Sequence, residues 1–158
     1  MELEFSGDDL QLMEPLIKAY LSQMDSALKI SDILAQHENS EEITTDHLIG
    51  GLVYRLMVPM TNDEMESSLN SAEDILHNLD ETDSDEEDTL NYDHIIDTYP
   101  NPSNPEFRRL KRPICNCDIC SKLRVCLLNY KHHVCNDSLS QKFKDSIDST
   151  LEKYGIFI

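Results

Sequence analysis

The chain has 158 residues, 39% of them apolar and 28% charged, with a formal net charge of −18. That length suits one ordinary domain or two small ones, and the modest apolar share leaves part of the chain outside a packed core. No apolar run reaches transmembrane length and Met1–Leu10 carries no basic-then-apolar leader, so the expectation is a soluble, intracellular, cytoplasmic protein with no membrane partner.

Residues 8–36 have helical periodicity, with Leu10, Met13, Ile17, Tyr20, Leu21, Met24, Leu28 and Ile33 on one stripe. Pro15 lacks an amide donor, so the helix is expected to begin there, with Asp8–Glu14 as a separate turn. Residues 45–58 form a second helix, capped by Thr44 or Thr45 and ended by Pro59. Gly50-Gly51 inside it costs about 1 kcal/mol per glycine relative to alanine, a cost that close approach of another helix would offset. Thr61-Asn62-Asp63-Glu64 is a capping box opening a third helix, with Met65, Leu69, Ala72, Ile75, Leu76 and Leu79 as its stripe. Short connections between these elements predict a small antiparallel bundle over residues 1–80.

Residues 81–106 read as an acidic, proline-containing linker, opening on the run Asp80–Asp88 and carrying Pro100, Pro102 and Pro105. Such a composition predicts disorder. Thr82 and Ser84 are flanked by acids, as an acid-directed kinase requires. A final helix spans 136–154, with Asn136 or Asp137 as its cap and Leu139, Phe143, Ile147, Leu151 and Tyr154 as its stripe. Gly155 stops it, and the apolar tail Ile156-Phe157-Ile158 is expected to dock back.

All five cysteines fall within the 21 residues from Cys115 to Cys135, together with His132 and His133. An odd number of cysteines in a reducing compartment favours a metal or free thiols over disulfides. Cys117-x2-Cys120 and His132-x2-Cys135 offer four soft ligands in two close pairs, the pattern of a tetrahedral zinc site. Cys115 and His133 stand in reserve, and Cys126 reads as a small buried hydrophobe. This assignment demands a break in the intervening segment. If 119–134 were one helix, Cys120 and His132 would lie about 18 Å apart at ~1.5 Å per residue. A broken segment is preferred because it accounts for the ligand spacing. His37, His47, His77 and His94 show no ligand spacing and read as surface or cap residues.

Charge is distributed unevenly. Residues 1–105 hold 25 acids and three bases, whereas 106–135 hold seven bases and two acids. Arg108, Arg109, Lys111, Arg112, Lys122, Arg124 and Lys131 therefore form the only stretch able to attract an anion or nucleic acid. The acidic linker is a competing, internal partner for it.

The phrase TTDHLIGGLVYRLMVPMTNDEM, residues 44–65, resembles uncharacterised proteins of large cytoplasmic DNA viruses of the mimivirus-like kind. The resemblance implies a setting in host cytoplasm or virion. It carries no catalytic motif, and the chain contains no HExxH and no H-x-E paired with P-C-x-x-C.

The sequence thus predicts a mainly α protein in three parts: a small N-terminal helical bundle (1–80), an acidic disordered linker (81–106) and a small, zinc-stabilised helical C-terminal module (107–158). One structural zinc per chain is expected. The expected role is a non-enzymatic protein–protein interaction or regulatory protein, with no small-molecule substrate. A nucleic-acid-binding regulator working through 107–135 is the alternative.

Overall fold

The computed structural model describes residues 7–81 and 107–158. These form five α-helices: α1 (Gly7–His37), α2 (Thr45–Met57), α3 (Asn62–Glu81), α4 (Asp118–Asn129) and α5 (Ser138–Tyr154). A 3₁₀ turn (Tyr130–His132) and two short strands, β1 (Arg108–Arg109) and β2 (Ile156–Phe157), complete the described elements, and the fold is mainly α. No described helix is long and apolar enough to cross a membrane. Thr82, Ser84 and the linker beyond Glu81 lie outside the described residues.

Helix α1 runs unbroken through Pro15, contrary to the expected start at that residue. Pro15 is exposed, so water can satisfy the carbonyl that its missing amide would have bonded. At the other end α1 stops in a Schellman turn. Asn39 adopts a left-handed φ of 55°, the Ser40 amide bonds the Ala35 carbonyl at 2.9 Å, and the Asn39 amide bonds the Gln36 carbonyl at 3.0 Å. This turn fixes His37 at the helix end and sends the chain back into α2.

Helix α2 opens on a capping box in which Thr44 and His47 bond each other's backbone. Its paired glycines sit where α1 crosses. A Cβ on Gly51 would lie 2.2 Å from Ser31 Oγ and 2.4 Å from the Ala27 carbonyl oxygen, so α1 and α2 approach closely only because that position is bare. Helix α3 begins at the expected box, with the Thr61 amide bonding Glu64 Oε2 at 2.8 Å and the Glu64 amide bonding Thr61 Oγ1 at 3.3 Å. It lies along α1, tied by Lys18–Glu73 and by Lys29 to Ser67. Small residues are buried on both helices, Ser22 and Ser26 on α1 and Ser68 and Ala72 on α3.

The C-terminal elements join this bundle through one hydrophobic core. Ile30, Leu34, Ile49, Val53 and Tyr54 from the first part cluster with Leu110, Leu123, Leu127, Phe143, Ile147 and Ile156 from the second. Tyr20 meets Phe143 edge-on at 5.9 Å between ring centroids. Against the expectation of a bundle (1–80) tethered to a separate module (107–158), the two segments share this core. Gly155 takes a left-handed φ of 62° and ends α5. The tail then docks back as β2, pairing parallel with β1 in the register Arg108↔Ile156 and Arg109↔Phe157.

Candidate metal centre

Helix α4 begins at Asp118, and Cys117 is its N-cap, its sulfur accepting the Cys120 amide at 3.4 Å. One step upstream, the Cys117 amide donates to Cys115 Sγ at 3.5 Å. The stretch Cys115-Asn116-Cys117-Asp118-Ile119-Cys120 therefore curls its three sulfurs around the start of the helix. The end of α1 faces this curl. His37 Nδ1 lies 3.2 Å from Cys117 Sγ and 3.4 Å from Cys120 Sγ. One donor atom each from His37, Cys115, Cys117 and Cys120 lies within 4.8 Å of every other. Ligands held tetrahedrally at about 2.3 Å (S) and 2.0–2.1 Å (N) from one metal sit about 3.5–3.8 Å apart. The four donors are thus already near the spacing that a metal ion requires.

Local electrostatics prepare the set unequally. The backbone amide of Cys120, and the helix N-terminus it belongs to, draw the Cys117 thiol down to about 7. Burial pushes Cys120, which has no solvent exposure, up to about 12, and the neighbouring Cys117 adds to the effect. One ligand is therefore ready as thiolate near neutrality, and the other surrenders its proton only to a competing cation.

The surroundings hold the curl in place. Arg124 on α4 donates to the carbonyls of Pro113 at 2.9 Å and Cys115 at 2.6 Å, with a third bond to Ser121 Oγ at 3.1 Å. Next to His37 in sequence, Glu38 forms a half-buried pair with His47 at 2.6 Å. The Thr44 amide donates to His47 Nδ1 at 3.0 Å, so the ring proton sits on Nε2 and is donated to Glu38. Lys111 reaches the same carboxylate at 3.2 Å. Burial would raise Glu38, but the bonds and charges of His47 and Lys111 outweigh it and hold it below the ordinary carboxylate range. Asp46 receives Arg108 at 2.6 and 2.9 Å and the Lys111 amide at 3.0 Å, and these bonds likewise overcome its burial and lower it.

The quartet expected from spacing, Cys117, Cys120, His132 and Cys135, is not the one that converges. Helix α4 runs to Asn129 and passes directly into a 3₁₀ turn over Tyr130–His132. Cys120 and His132 therefore occupy opposite ends of one rod, the geometry that forbids a shared metal. The apolar stripe through Leu123, Cys126, Leu127 and Tyr130 is buried, and burying it keeps the segment helical. Cys115, held in reserve, joins the cluster, whereas His133 and Cys135 remain beyond the far end of α4. Cys126 lies in the core as expected.

His37 is the member that sequence reasoning missed. It lies 80 positions from Cys117 and 83 from Cys120, and only the meeting of the end of α1 with the start of α4 brings it in. Its place as the last residue of a long helix was the one available signal.

The basic residues have mostly internal partners. Arg108 and Lys111 bind Asp46 and Glu38, Lys122 pairs with Asp118 at 3.0 Å, and Arg124 clamps the cysteine loop. Arg109 lies over the Phe157 ring at 5.7 Å. Arg112 and Lys131 make no ion pair among the described residues. No family model, no curated protein and no solved structure matches this chain.

Proposed function

We propose that His37, Cys115, Cys117 and Cys120 hold one zinc ion per chain, that this zinc is structural, and that the protein is a non-enzymatic interaction or regulatory protein. The convergence of four donor atoms within 4.8 Å, with His37 lying 80 positions from Cys117 and 83 from Cys120, carries the reading. Three thiolates and an imidazole are a soft, tetrahedral set suited to zinc, and all four positions come from protein, leaving none for a substrate water. Such an ion would staple the end of α1 to the start of α4. The reading suits a reducing cellular interior, where the cysteines stay free as they are here.

An apolar groove between α1 and α5, lined by Met13, Leu16, Ile17, Tyr20, Leu21 and Leu139, supports a protein partner over a polyanion. The nucleic-acid alternative has less support, because Arg108, Lys111, Lys122 and Arg124 already have partners within the fold. Elemental analysis of protein purified without added metal tests the reading. About one zinc per chain is expected, lost in His37→Ala and kept in His132→Ala. Retention of zinc by His37→Ala and loss by His132→Ala would overturn the ligand set. Cobalt substitution should give the intense visible bands of a tetrahedral thiolate site.

A further inference from the structure

We propose that Cys117 and Cys120 are an oxidative modification site: a hydroperoxide joins them as a disulfide and thereby releases the metal. The inference rests on the metal reading above and adds control of occupancy to it.

The geometry separates an outer sulfur from an inner one. Cys117 is the half-exposed N-cap of α4, whereas Cys120 has no solvent exposure. The Cys120 amide points at Cys117 Sγ from 3.4 Å and His37 Nδ1 approaches the same sulfur at 3.2 Å. An approaching oxidant therefore meets Cys117 first, and the partner that can resolve the product stands directly beneath it. Residues three apart at a helix start hold their Cβ atoms roughly 5–6 Å apart. A small rotation of the half-free N-cap closes that gap to disulfide range. Two of the remaining cysteines cannot substitute as partners for Cys117, and the third is disfavoured. Cys126 is buried in the core, and Cys135 lies beyond the other end of α4. Cys115, two residues away, has the tighter loop to close.

The chemistry is balanced. The Cys117 thiolate attacks the terminal oxygen of the hydroperoxide; a sulfur–oxygen bond forms, the oxygen–oxygen bond breaks, and alkoxide leaves. The Cys120 thiolate then attacks the Cys117 sulfur, expelling hydroxide and forming the disulfide. Two thiolates together lose two electrons and the hydroperoxide gains them; solvent protonates the alkoxide and hydroxide. Zinc departs as the divalent ion, because Cys115 and His37 alone are two ligands where four are needed. A dithiol reductant reverses the change.

The test uses the full reduced chain, its zinc content measured first. It is then exposed to tert-butyl hydroperoxide beside a chromophoric zinc chelator, with peptide mapping by mass spectrometry. Release of one zinc per chain is expected, together with a Cys117–Cys120 disulfide and reloading after dithiothreitol and zinc. The double variant Cys126→Ser/Cys135→Ser should behave identically. Zinc present at the outset but retained after oxidation would overturn this inference alone, as would release with sulfinic acid at Cys117 and no disulfide. Reduced protein carrying no zinc at the outset would overturn the metal reading and this inference with it.

Discussion

The two ends of α4 carry nearly the same chemistry and meet different fates. At its start, Cys115, Cys117 and Cys120 face His37 across a gap set by the end of α1. At its finish, His132, His133 and Cys135 face no comparable group among the described residues, and the chain there is anchored by Tyr130, whose hydroxyl donates to Asp148 at 2.6 Å while Lys144 lies over its ring. The difference teaches that soft ligands become a site only where a second element closes on them. Composition alone does not distinguish the two ends; the third dimension does.

The largest break in this comparison should come from cysteine exchange. Cys120→Ser is expected to abolish zinc binding and, at free zinc 1,000-fold above Kd, to forfeit about 4 kcal/mol of linkage stabilisation. Cys135→Ser should keep full zinc and change stability by no more than about 0.5 kcal/mol. Thermal unfolding with and without a chelator reads both. Next, Arg124→Ala removes two bonds that hold the cysteine curl. Zinc affinity should fall about 10- to 100-fold, as for other groups that orient metal ligands, and competition with a chromophoric chelator measures it. At the other end of the helix, Tyr130→Phe deletes the bond to Asp148 and should cost about 1.5–3 kcal/mol of stability with zinc affinity unchanged.

A pH series sharpens the comparison at the metal end. Binding must remove the Cys120 proton at every pH below its raised value, so affinity rises with pH through the neutral range. Below about 7 the Cys117 sulfur is protonated in the free protein as well. The slope of log affinity against pH should therefore be steeper by roughly one proton, tenfold per unit, below that point than above it. The same slope on both sides would show that Cys117 is not prepared by the helix. The smallest effect is expected from Lys122→Ala, whose pair with Asp118 is solvent-exposed; thermal unfolding should show no resolvable change.

Much of the fold was legible because its signals are local. The Thr61–Glu64 box, the stop at Gly155 and the stripe of α5 each depend on residues within a few positions of one another. Gly50-Gly51 announced a close helix crossing before any partner was known, and α1 supplied it. The α4 segment held two conflicting signals. Its apolar residues repeat with helical period, whereas the cysteine and histidine pairs ask for a bend. The period won because burying Leu123, Leu127 and Tyr130 rewards every turn of a continuous helix, while the cysteines at its start can find another soft neighbour. That neighbour, His37, was hard to read because only its place at the end of a long helix marks it in sequence. Its role comes from a Schellman turn that halts α1 in front of Cys117.

The junction of His37 with the cysteine curl also makes everything between them a closed loop. In sequence, residues 82–106 fall between anchors set by the His37–cysteine cluster, the Asp46–Arg108 pair and the β1–β2 ladder. The entropy of closing a flexible loop grows only as the logarithm of its length, about 0.6 kcal/mol for each doubling. Insertions, deletions or wholesale replacement of that acidic stretch should therefore leave the folded body nearly as stable as before. Such a chain can change its most negative segment quickly over evolutionary time while its anchor points stay where they are.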